Sequence, residues 1–439
     1  MESRQPQKLF LEEDPTFERR WQALSLNTRV WFERWAQASG GDVSREDGIM
    51  WTHNSGESSE NAITISSFDP LHIGDQMDRI LNEYRCHSPV RGALCWYLAS
   101  DVPTNLEAKM FARGFEFNWQ PHWMWCDLRH LQKKQTHLSP FTIQIIEDEP
   151  YKQADDIPYY NAANAAILTA QRRAHPELIR HLAAFQDDRI VGRCILNVTG
   201  GEWGIAGLFA MGVIPSARKR GIGTALVQAA CEYAQQMGCH HVVLNATAMG
   251  EPVYRRVGFE SMGHGHTWYL RKRTLIKAAS TKNVIAFLEA VGQGDIVALN
   301  AISLHLEEQA FYTPLASSLT PLDIAVHCHQ PAAAEWLVKH GAPLDLISAW
   351  DLGWKDQIPL LLASNPALVN VQRGNWQLTP LHVAVERGDI ELVKLLLTVP
   401  NDLEIKDTEF EASALGWAHY SQRSTEIIPL IQQHLTKKW

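Results

Sequence analysis

The segment Val213–Leu226 constrains the fold of this chain most strongly. Apolar residues lead into a basic turn at 218–220, and a helical pattern begins next to Gly221 and Gly223. A strand, turn and helix in this order directs free backbone N–H groups and the positive end of a helix dipole at one point. Because glycine has no side chain, a diphosphate can approach the backbone closely there. The segment therefore predicts an anion-binding loop.

A second motif extends this prediction. The strand-like segment His240–Thr247 is followed by Tyr254-Arg255-Arg256-Val257-Gly258-Phe259. Together with the pattern Arg-x-x-Gly-x-Gly at 218–223, this order resembles the GNAT superfamily of N-acetyltransferases, with its acetyl-CoA pyrophosphate loop and its Tyr-x-x-x-Gly-Phe ending. The resemblance covers roughly residues 139–271. It implies an α/β GNAT fold, in which helices flank a mixed and mostly antiparallel central sheet, and an enzyme that uses acetyl-CoA.

The resemblance also implies roles for individual residues. Backbone amides of the strand before the loop bind the pantetheine arm, the loop amides bind the diphosphate, and Tyr254 returns a proton to the departing thiolate. A phenol with a reference pKa of about 10 is a suitable donor to a thiolate whose conjugate acid lies near 8.5. The implied acetyl-CoA contacts are Met211, Gly212, Val213, Arg218, Lys219, Arg220, Gly221, Ile222, Gly223, Thr224 and Asn245.

Two of these residues also have an ordinary structural explanation. Tyr254 could be a packing residue on a helix face. Asn245 could cap or bridge local backbone groups instead of binding pantetheine or substrate.

The general base is harder to assign. Many family members place a glutamate in the fourth strand, but here that strand, Gly204–Met211, contains no carboxylate. Glu202, Glu251 and His175 are the candidates, although each could be a solvated surface residue and a water chain could take the proton instead. Since no placed nucleophile suggests a covalent intermediate, we expect direct transfer to the amine.

The acceptor pocket and a possible metal site rest on weaker patterns. In this fold the first helical region, here Asp156–Arg180, borders the acceptor, and it offers Tyr159, Tyr160, Arg172 and Arg173. The two arginines could bind a carboxylate or phosphate, or could form a solvated helix face.

His264-Gly265-His266 would place two rings on one face of a strand, which suits zinc. No third ligand stands at a convincing spacing, so we predict a turn and no metal.

Residues 1–131 resemble a degenerate acetyltransferase half, because their predicted elements follow the same order and include a Gly114-Phe115 ending. Because this half has no glycine-bearing loop, we do not expect it to bind acetyl-CoA, although it could form a wall of the substrate pocket. The alternative is that residues 1–131 form an unrelated α/β domain. The predicted strands are Gly48–His53, Asn61–Ser66, Gly92–Ala99 and Trp123–Leu128. The predicted helices are Ile73–Cys86 and a second one that is capped by Thr104 or Asn105 and ends at Gly114.

The last section, residues 284–439, resembles ankyrin repeats, most clearly at Leu378–Leu396. Five helix pairs are expected, with the β-turn between the second and third largely missing. One helix pair cannot bury its apolar face, whereas a stack can. The resemblance implies a protein partner, and bracing of the enzyme is the alternative. The alanines aligned in the first helices are Ala290, Ala325, Ala349, Ala384 and Ala418.

Composition narrows the function further. A formal net charge of −9 argues against general nucleic-acid binding. No leader or membrane-length apolar run is visible, and the seven scattered cysteines fit a reducing cytoplasm. We therefore expect a cytoplasmic acyltransferase whose acceptor is a small amine or a protein lysine. The alternative is an acetyl-CoA-binding protein without turnover, in which the ankyrin repeats carry the function.

Overall fold

The computed structural model describes residues 12–54, 61–87, 92–101, 103, 105–131, 141–146, 157–158, 160, 162–247, 249–276, 280–374, 376–408, 410–420 and 426–435. The chain divides into two compact units. Unit 1 comprises residues 1–103 and 115–278, and unit 2 comprises residues 104–114 and 279–439.

The described elements alternate between strands and helices in unit 1 and are helical in unit 2. The strands are β1 (Asp42–Glu46), β2 (Ile49–His53), β3 (Asn61–Ile65), β4 (Gly92–Tyr97), β5 (Glu116–Phe117), β6 (His122–Asp127), β7 (Thr142–Ile146), β8 (Ile179–Gln186), β9 (Arg189–Val198), β10 (Ala206–Val213), β11 (His241–Ala246), β12 (Glu260–His264) and β13 (His266–Arg271). The helices are α1 (Phe17–Ala38), α2 (Ile73–Cys86), α3 (Leu106–Ala112), α4 (Ala162–Ala174), α5 (Ile222–Gln236), α6 (Glu251–Val257), α7 (Lys272–Ile276), α8 (Lys282–Gln293), α9 (Ile296–Ser303), α10 (Pro321–His327), α11 (Pro331–Lys339), α12 (Leu346–Asp351), α13 (Gln357–Ser364), α14 (Pro380–Arg387), α15 (Ile390–Leu396), α16 (Ala414–Tyr420) and α17 (Ile427–Leu435).

Two mixed sheets form the centre of unit 1. The first has the order β1-β2-β3-β4-β13-β5, and the second has the order β12-β6-β11-β10-β9-β8-β7. β3 pairs with β4, and β10 pairs with β11, in parallel, while the other neighbouring strands are antiparallel. This confirms the predicted mixed and mostly antiparallel sheet flanked by helices, and the sheet of the N-terminal half has a matching arrangement.

Within unit 1, the two predicted halves, whose boundaries are 1–131 and 139–271, exchange strands. β6 belongs to the N-terminal half but lies between β11 and β12, and β13 belongs to the C-terminal half but lies between β4 and β5. The segment that leads into β6 and the segment that joins β12 to β13 are in contact, because the Gly265 N–H donates a hydrogen bond to the Pro121 carbonyl at 2.8 Å. The strand predicted at Trp123–Leu128 is present as β6, but it pairs in the second sheet and not with the strands of the N-terminal half, because the sequence pattern indicates a strand but not its partner.

Helix α1, which the sequence analysis did not identify, packs against the second sheet. The Asn27 side-chain amide donates to the Ile205 carbonyl at 3.0 Å, and the Trp31 ring stacks on Phe209 of β10 at 4.3 Å. Burial lowers the pKa of Arg34 to about 10. The helix mixes such buried polar residues with tryptophans, so it lacks a clear apolar stripe, and its polar groups are stabilised by hydrogen bonds to β9 and the following loop.

Unit 2 contains a row of helix pairs. Within its described residues the pairs are α8–α9, α10–α11, α12–α13, α14–α15 and α16–α17. Short antiparallel bridges, Arg373–Leu378 and Lys406–Ser413, precede the fourth and fifth pairs, whereas only residues 340–345 separate the second pair from the third. The five aligned alanines are each at most 5% exposed: Ala290, Ala325, Ala349, Ala384 and Ala418.

Helix α3 groups with unit 2, although the sequence analysis placed it in the N-terminal half. It packs on α8, where Glu289 accepts from Lys109 Nζ at 3.2 Å and from Arg113 at 2.5 Å. Asn105 precedes the helix but makes no side-chain capping bond, and Thr104 lies outside the described residues. The boundaries 1–131, 139–271 and 284–439 stay predictions.

Candidate active site

The two parallel strands of the second sheet separate toward their carboxyl ends. Their register ends at Gly207 and Val243, whereas β10 continues to pair with β9 as far as Val213. A bulge interrupts β10 near Ala210, whose φ is 46°. A cleft between β10 and β11 therefore begins before residues 211–213, the predicted pantetheine contacts.

The basic loop follows β10 directly. Lys219 and Gly221 both have left-handed backbones, with φ of 61° and 81°, a geometry that brings neighbouring N–H groups together around an anion. Gly221 is the N-cap of α5, and a β-carbon there would have no atom within 4 Å. The loop is thus an exposed concentration of N–H groups and positive charge, which fits the diphosphate of acetyl-CoA.

Three elements meet beside this loop. A β-carbon on Gly223, in the first turn of α5, would lie 3.4 Å from Met211 Cε of β10 and 3.7 Å from Val253 Cγ1 of α6. Arg218 folds back so that its Nε donates to the Val213 carbonyl at 3.1 Å. The predicted strand and loop contacts are therefore neighbours in space as well as in sequence.

Tyr254 lies on α6 with its ring toward the start of that helix. The residue is 7% exposed, and its ring meets Phe259 edge-on at a centroid distance of 5.9 Å. A β-carbon on Gly250 would lie 2.9 Å from Tyr254 Cε2 and 3.4 Å from Thr247 Oγ1. Because Thr247 follows β11, the phenol ring lies at the carboxyl end of this strand.

The other candidates are spread over the domain. Asn245 is half-buried on β11, directly opposite Trp123 of β6. Glu202 is exposed and precedes β10, at the end of the strand away from the loop. His175 follows α4, and burial lowers its pKa. The structure therefore places Asn245 near the cleft, and it does not bring Glu202 to the loop.

The acceptor candidates lie near a buried basic region. Arg172 is half-buried and Arg173 exposed in the last turn of α4. Tyr160 is 3% exposed, and the Arg193 guanidinium lies over its ring at 5.3 Å. Burial, followed by the charges of Arg172 and Arg193, lowers the pKa of His181 to about 3. Tyr159 lies outside the described residues.

Glu251 begins α6 and has two partners. Its Oε1 accepts from Arg255 Nε at 2.7 Å, and its Oε2 lies 3.4 Å from Nδ1 of His122. The bond from Arg255 lowers the pKa of Glu251. The sequence analysis missed His122, which lies opposite Ala246 at the end of β11. The only sequence signal is its position directly before the predicted strand at 123–128.

The His-Gly-His segment is divided between the two sheets. His264 ends β12 and His266 begins β13, so the rings do not share the face of one strand. In the described part of the chain, no group of three or more His, Cys, Asp or Glu residues could hold a metal ion. None of the described helices combines the length and the apolar character needed to cross a membrane.

Comparison with known proteins assigns the family of this region. Residues 139–259 match the sequence model of the acetyltransferase (GNAT) family. They form a GNAT-family domain. Residues 376–408 match the ankyrin repeat. Both predicted resemblances are confirmed.

The GNAT domain also resembles individual proteins. A glucosamine 6-phosphate N-acetyltransferase of Trypanosoma brucei brucei is 32% identical over 77 residues, which are 17% of this chain and 52% of that protein. The chain thus spans about half the length of this curated relative.

Solved structures are similar at lower identity. A GCN5-related N-acetyltransferase from Kribbella flavida has 12% identity and a TM-score of 0.45, covering 56% of this chain and 94% of its own. A tandem GNAT protein from the clavulanic acid biosynthesis pathway has 15% identity and a TM-score of 0.39, covering 51% of this chain and 78% of its own.

Proposed function

We propose that the GNAT domain transfers the acetyl group of acetyl-CoA to a primary amine by direct attack within a ternary complex. The observation that carries this proposal is the open, left-handed, basic loop at Gly221, which follows the strand bordering the cleft between β10 and β11. This arrangement presents N–H groups and positive charge to a diphosphate. It also presents the strand edge of β10 beyond Gly207, with which the extended pantetheine arm can form hydrogen bonds.

Each part of the cleft has a role in this proposal. The amides of Met211, Gly212 and Val213 bind the pantetheine arm, and one of them polarises the acetyl oxygen. Asn245 contributes a polar contact from β11. The loop residues that bind the diphosphate are Arg218, Lys219, Arg220, Gly221, Ile222, Gly223 and Thr224.

Tyr254 acts as the general acid. As the amine nitrogen bonds to the acetyl carbon, the C–S bond breaks and the thiolate takes the phenol proton. Of the two carboxylate candidates, Glu251 begins the helix that carries Tyr254, whereas Glu202 lies beyond the other end of β10. We therefore retain Glu251 in the site.

The acceptor is a small amine-bearing molecule, bound between the GNAT domain and residues of the N-terminal half. Two observations support this. Helix α1 stacks Trp31 on Phe209, within the strand that borders the cleft. The relative that the domain resembles is named for acetylation of an amino sugar phosphate, and Arg172 and Arg173 suit such an anionic group.

A protein lysine is the second candidate acceptor. The residues around the ankyrin match favour it, because Phe410 is 62% exposed and packs edge-on against Trp376 and Trp417. Exposed aromatic groups of this kind are common in protein interfaces. In that case the repeats recruit the substrate; otherwise they bind another partner or brace the enzyme.

Replacing Tyr254 by Phe tests the catalytic role. We expect kcat to fall by about 100-fold or more, because proton donation typically contributes that much, while the Kd for acetyl-CoA measured by calorimetry stays unchanged. Tyr233→Phe, a half-buried tyrosine on α5, is the matched control and should keep the wild-type rate. A Tyr254→Phe enzyme with full activity would contradict the assignment.

A further inference from the structure

Three aromatic side chains of unit 2 form a cluster that is partly open to solvent. Trp376 lies in the turn closed by the bridge at 373–378, Phe410 lies in the turn closed by the bridge at 406–413, and Trp417 lies on α16. The ring centroids are 5.7 Å apart for Trp376 and Phe410, 5.8 Å for Phe410 and Trp417, and 6.1 Å for Trp376 and Trp417. Phe410 is nevertheless 62% exposed. This aromatic cluster therefore keeps an apolar surface in contact with solvent.

The turn that carries Phe410 is held in place by hydrogen bonds. Asp407, which is 3% exposed, accepts from the Phe410 N–H at 2.6 Å and from Trp417 Nε1 at 2.9 Å. The Thr408 N–H donates to the Trp376 carbonyl at 2.9 Å, which joins the two turns. Because the exposed ring is positioned before any partner arrives, little conformational entropy is lost when a partner covers it.

Negative charge is concentrated in this part of the chain. Residues 284–439 contain 18 acidic and nine basic side chains, and their formal net charge of −9 equals that of the whole chain. Residues 402–411, which we call the acidic segment, contain five acidic side chains and one basic side chain. Asp402, Glu404 and Glu411 are exposed there. One ring of the aromatic cluster thus belongs to a segment whose charge attracts cations.

Aromatic and acidic groups together suit the side chains of arginine and lysine. A guanidinium or ammonium group is attracted to the face of an aromatic ring, while the aliphatic stem packs on apolar surface. Neighbouring carboxylates attract basic partners and disfavour acidic ones. A second copy of this chain fits this surface less well, because a two-fold contact would bring two acidic segments together.

We propose that the aromatic cluster and the acidic segment form a docking surface for an arginine- and lysine-rich segment of a partner protein. Phe410 supplies the exposed ring, and Glu404 and Glu411 supply negative charge beside it. All of these residues lie within unit 2. The inference does not rest on the proposed acetyl transfer, and it names the chemical class of partner that unit 2 binds.

Binding of a fluorescein-labelled arginine nonapeptide to the full-length protein, measured by fluorescence anisotropy without acetyl-CoA, tests this surface. We expect saturable binding that weakens as salt is added, whereas a glutamate nonapeptide should not bind. Phe410→Ala should raise the Kd for the arginine peptide by about tenfold, because it removes the aromatic anchor. Leu360→Ala is the matched control, since Leu360 on α13 is 64% exposed in the same unit, and it should leave the Kd unchanged.

A second pair of variants tests the charge of the surface. Glu411→Gln should raise the Kd by about threefold and reduce its salt dependence. Glu335→Gln removes the same charge from α11, outside the proposed surface, and should have no such effect.

Three results would overturn the docking surface. The first is that the wild type does not bind the arginine peptide, or binds the glutamate peptide equally well. The second is that Phe410→Ala binds the arginine peptide as tightly as Leu360→Ala does. The third is a dimer in size-exclusion chromatography that Phe410→Ala dissociates, since a second copy would then cover this surface. None of these results would affect the acetyltransferase proposal, which thiol release tests separately.

Discussion

At the scale of single residues, the candidate site depends first on backbone conformation. Gly221 has a φ of 81°, which favours glycine, and open space where a side chain would begin. Lys219 shares the left-handed conformation without being glycine. Such strain is maintained where the surrounding structure or a ligand makes use of it, and left-handed residues in a loop of this kind allow neighbouring N–H groups to bind one anion.

Replacing Gly221 by Leu should weaken acetyl-CoA binding by at least about tenfold, because the side chain occupies the space through which the diphosphate reaches the N–H groups. Gly201→Leu is the matched control, since Gly201 also has a positive φ of 95° and open space but precedes β10. Both variants should lose about 1–2 kcal/mol of stability from backbone strain. Calorimetric titration with acetyl-CoA separates them, and equal affinities would mean that the diphosphate binds elsewhere.

The sequence predicted the parts of the site that depend on local order. The loop at 218–223 and Tyr254 occur within short motifs, so their spacing survives in a single sequence. His122 was missed because its contacts join segments far apart, being 139 residues from Ser261. Without the pairing of β6, nothing marks this histidine as different from any other surface or core histidine.

At the scale of elements, the exchanged strands make the two halves of unit 1 interdependent. β6 pairs with both β11 and β12, and β13 pairs with both β4 and β5. Trp123 on β6 and Trp268 on β13 are at most 2% exposed. Burying each such aromatic side chain contributes about 2–3 kcal/mol, so withdrawing either strand exposes large apolar surfaces in both halves.

Cutting the chain between the halves should therefore leave them associated. The full-length protein should be cut at a protease site inserted within 132–138, and the fragments should elute together in size-exclusion chromatography without denaturant. Separation should occur only as urea unfolds both sheets, detected by tryptophan fluorescence. Fragments that separate in native buffer and remain folded would show that each sheet is complete without the exchanged strand.

Strand and helix positions followed from local patterns, but their partners did not. The predicted strands Gly48–His53 and Asn61–Ser66 differ by one residue each from β2 and β3, and Ile73–Cys86 matches α2. Alternation and helical periodicity depend on neighbouring residues. The place of β6 in the second sheet and of α3 in unit 2 depends on long-range packing, which one sequence does not reveal.

At the scale of the whole molecule, unit 2 combines a segment from early in the chain with the C-terminal helices. Leu106, Met110 and Phe111 of α3 are at most 1% exposed. Glu289 of α8, with a side chain 18% exposed, pairs with Lys109 and Arg113, whose side chains are 13% and 5% exposed. Removing one partner from charges this shielded from water is costly, so we expect the stability of unit 2 to depend on this contact with α3 as well as on the repeats.

Glu289→Gln should destabilise the full-length protein by about 1–3 kcal/mol, because it removes the charge that Lys109 and Arg113 share at a site shielded from water while keeping the side-chain size. Glu335→Gln is the matched control. Glu335 pairs with Lys339, but both side chains are well exposed, at 61% and 70%, so the change should be within about 0.5 kcal/mol. Urea unfolding of both variants measures the change in the free energy of unfolding. Equal changes would mean that the packing of α3 on α8 does not depend on this ion pair.

The measurement that tests the central proposal most directly is thiol release from acetyl-CoA by the wild-type, full-length protein. The panel of acceptors should include amino sugars, amino sugar phosphates, polyamines, aminoglycosides and lysine peptides. We predict saturable release with one class of small amine. Acetyl-CoA binding by calorimetry without release on any acceptor would contradict the enzymatic account and favour a binding protein whose ankyrin repeats carry its function.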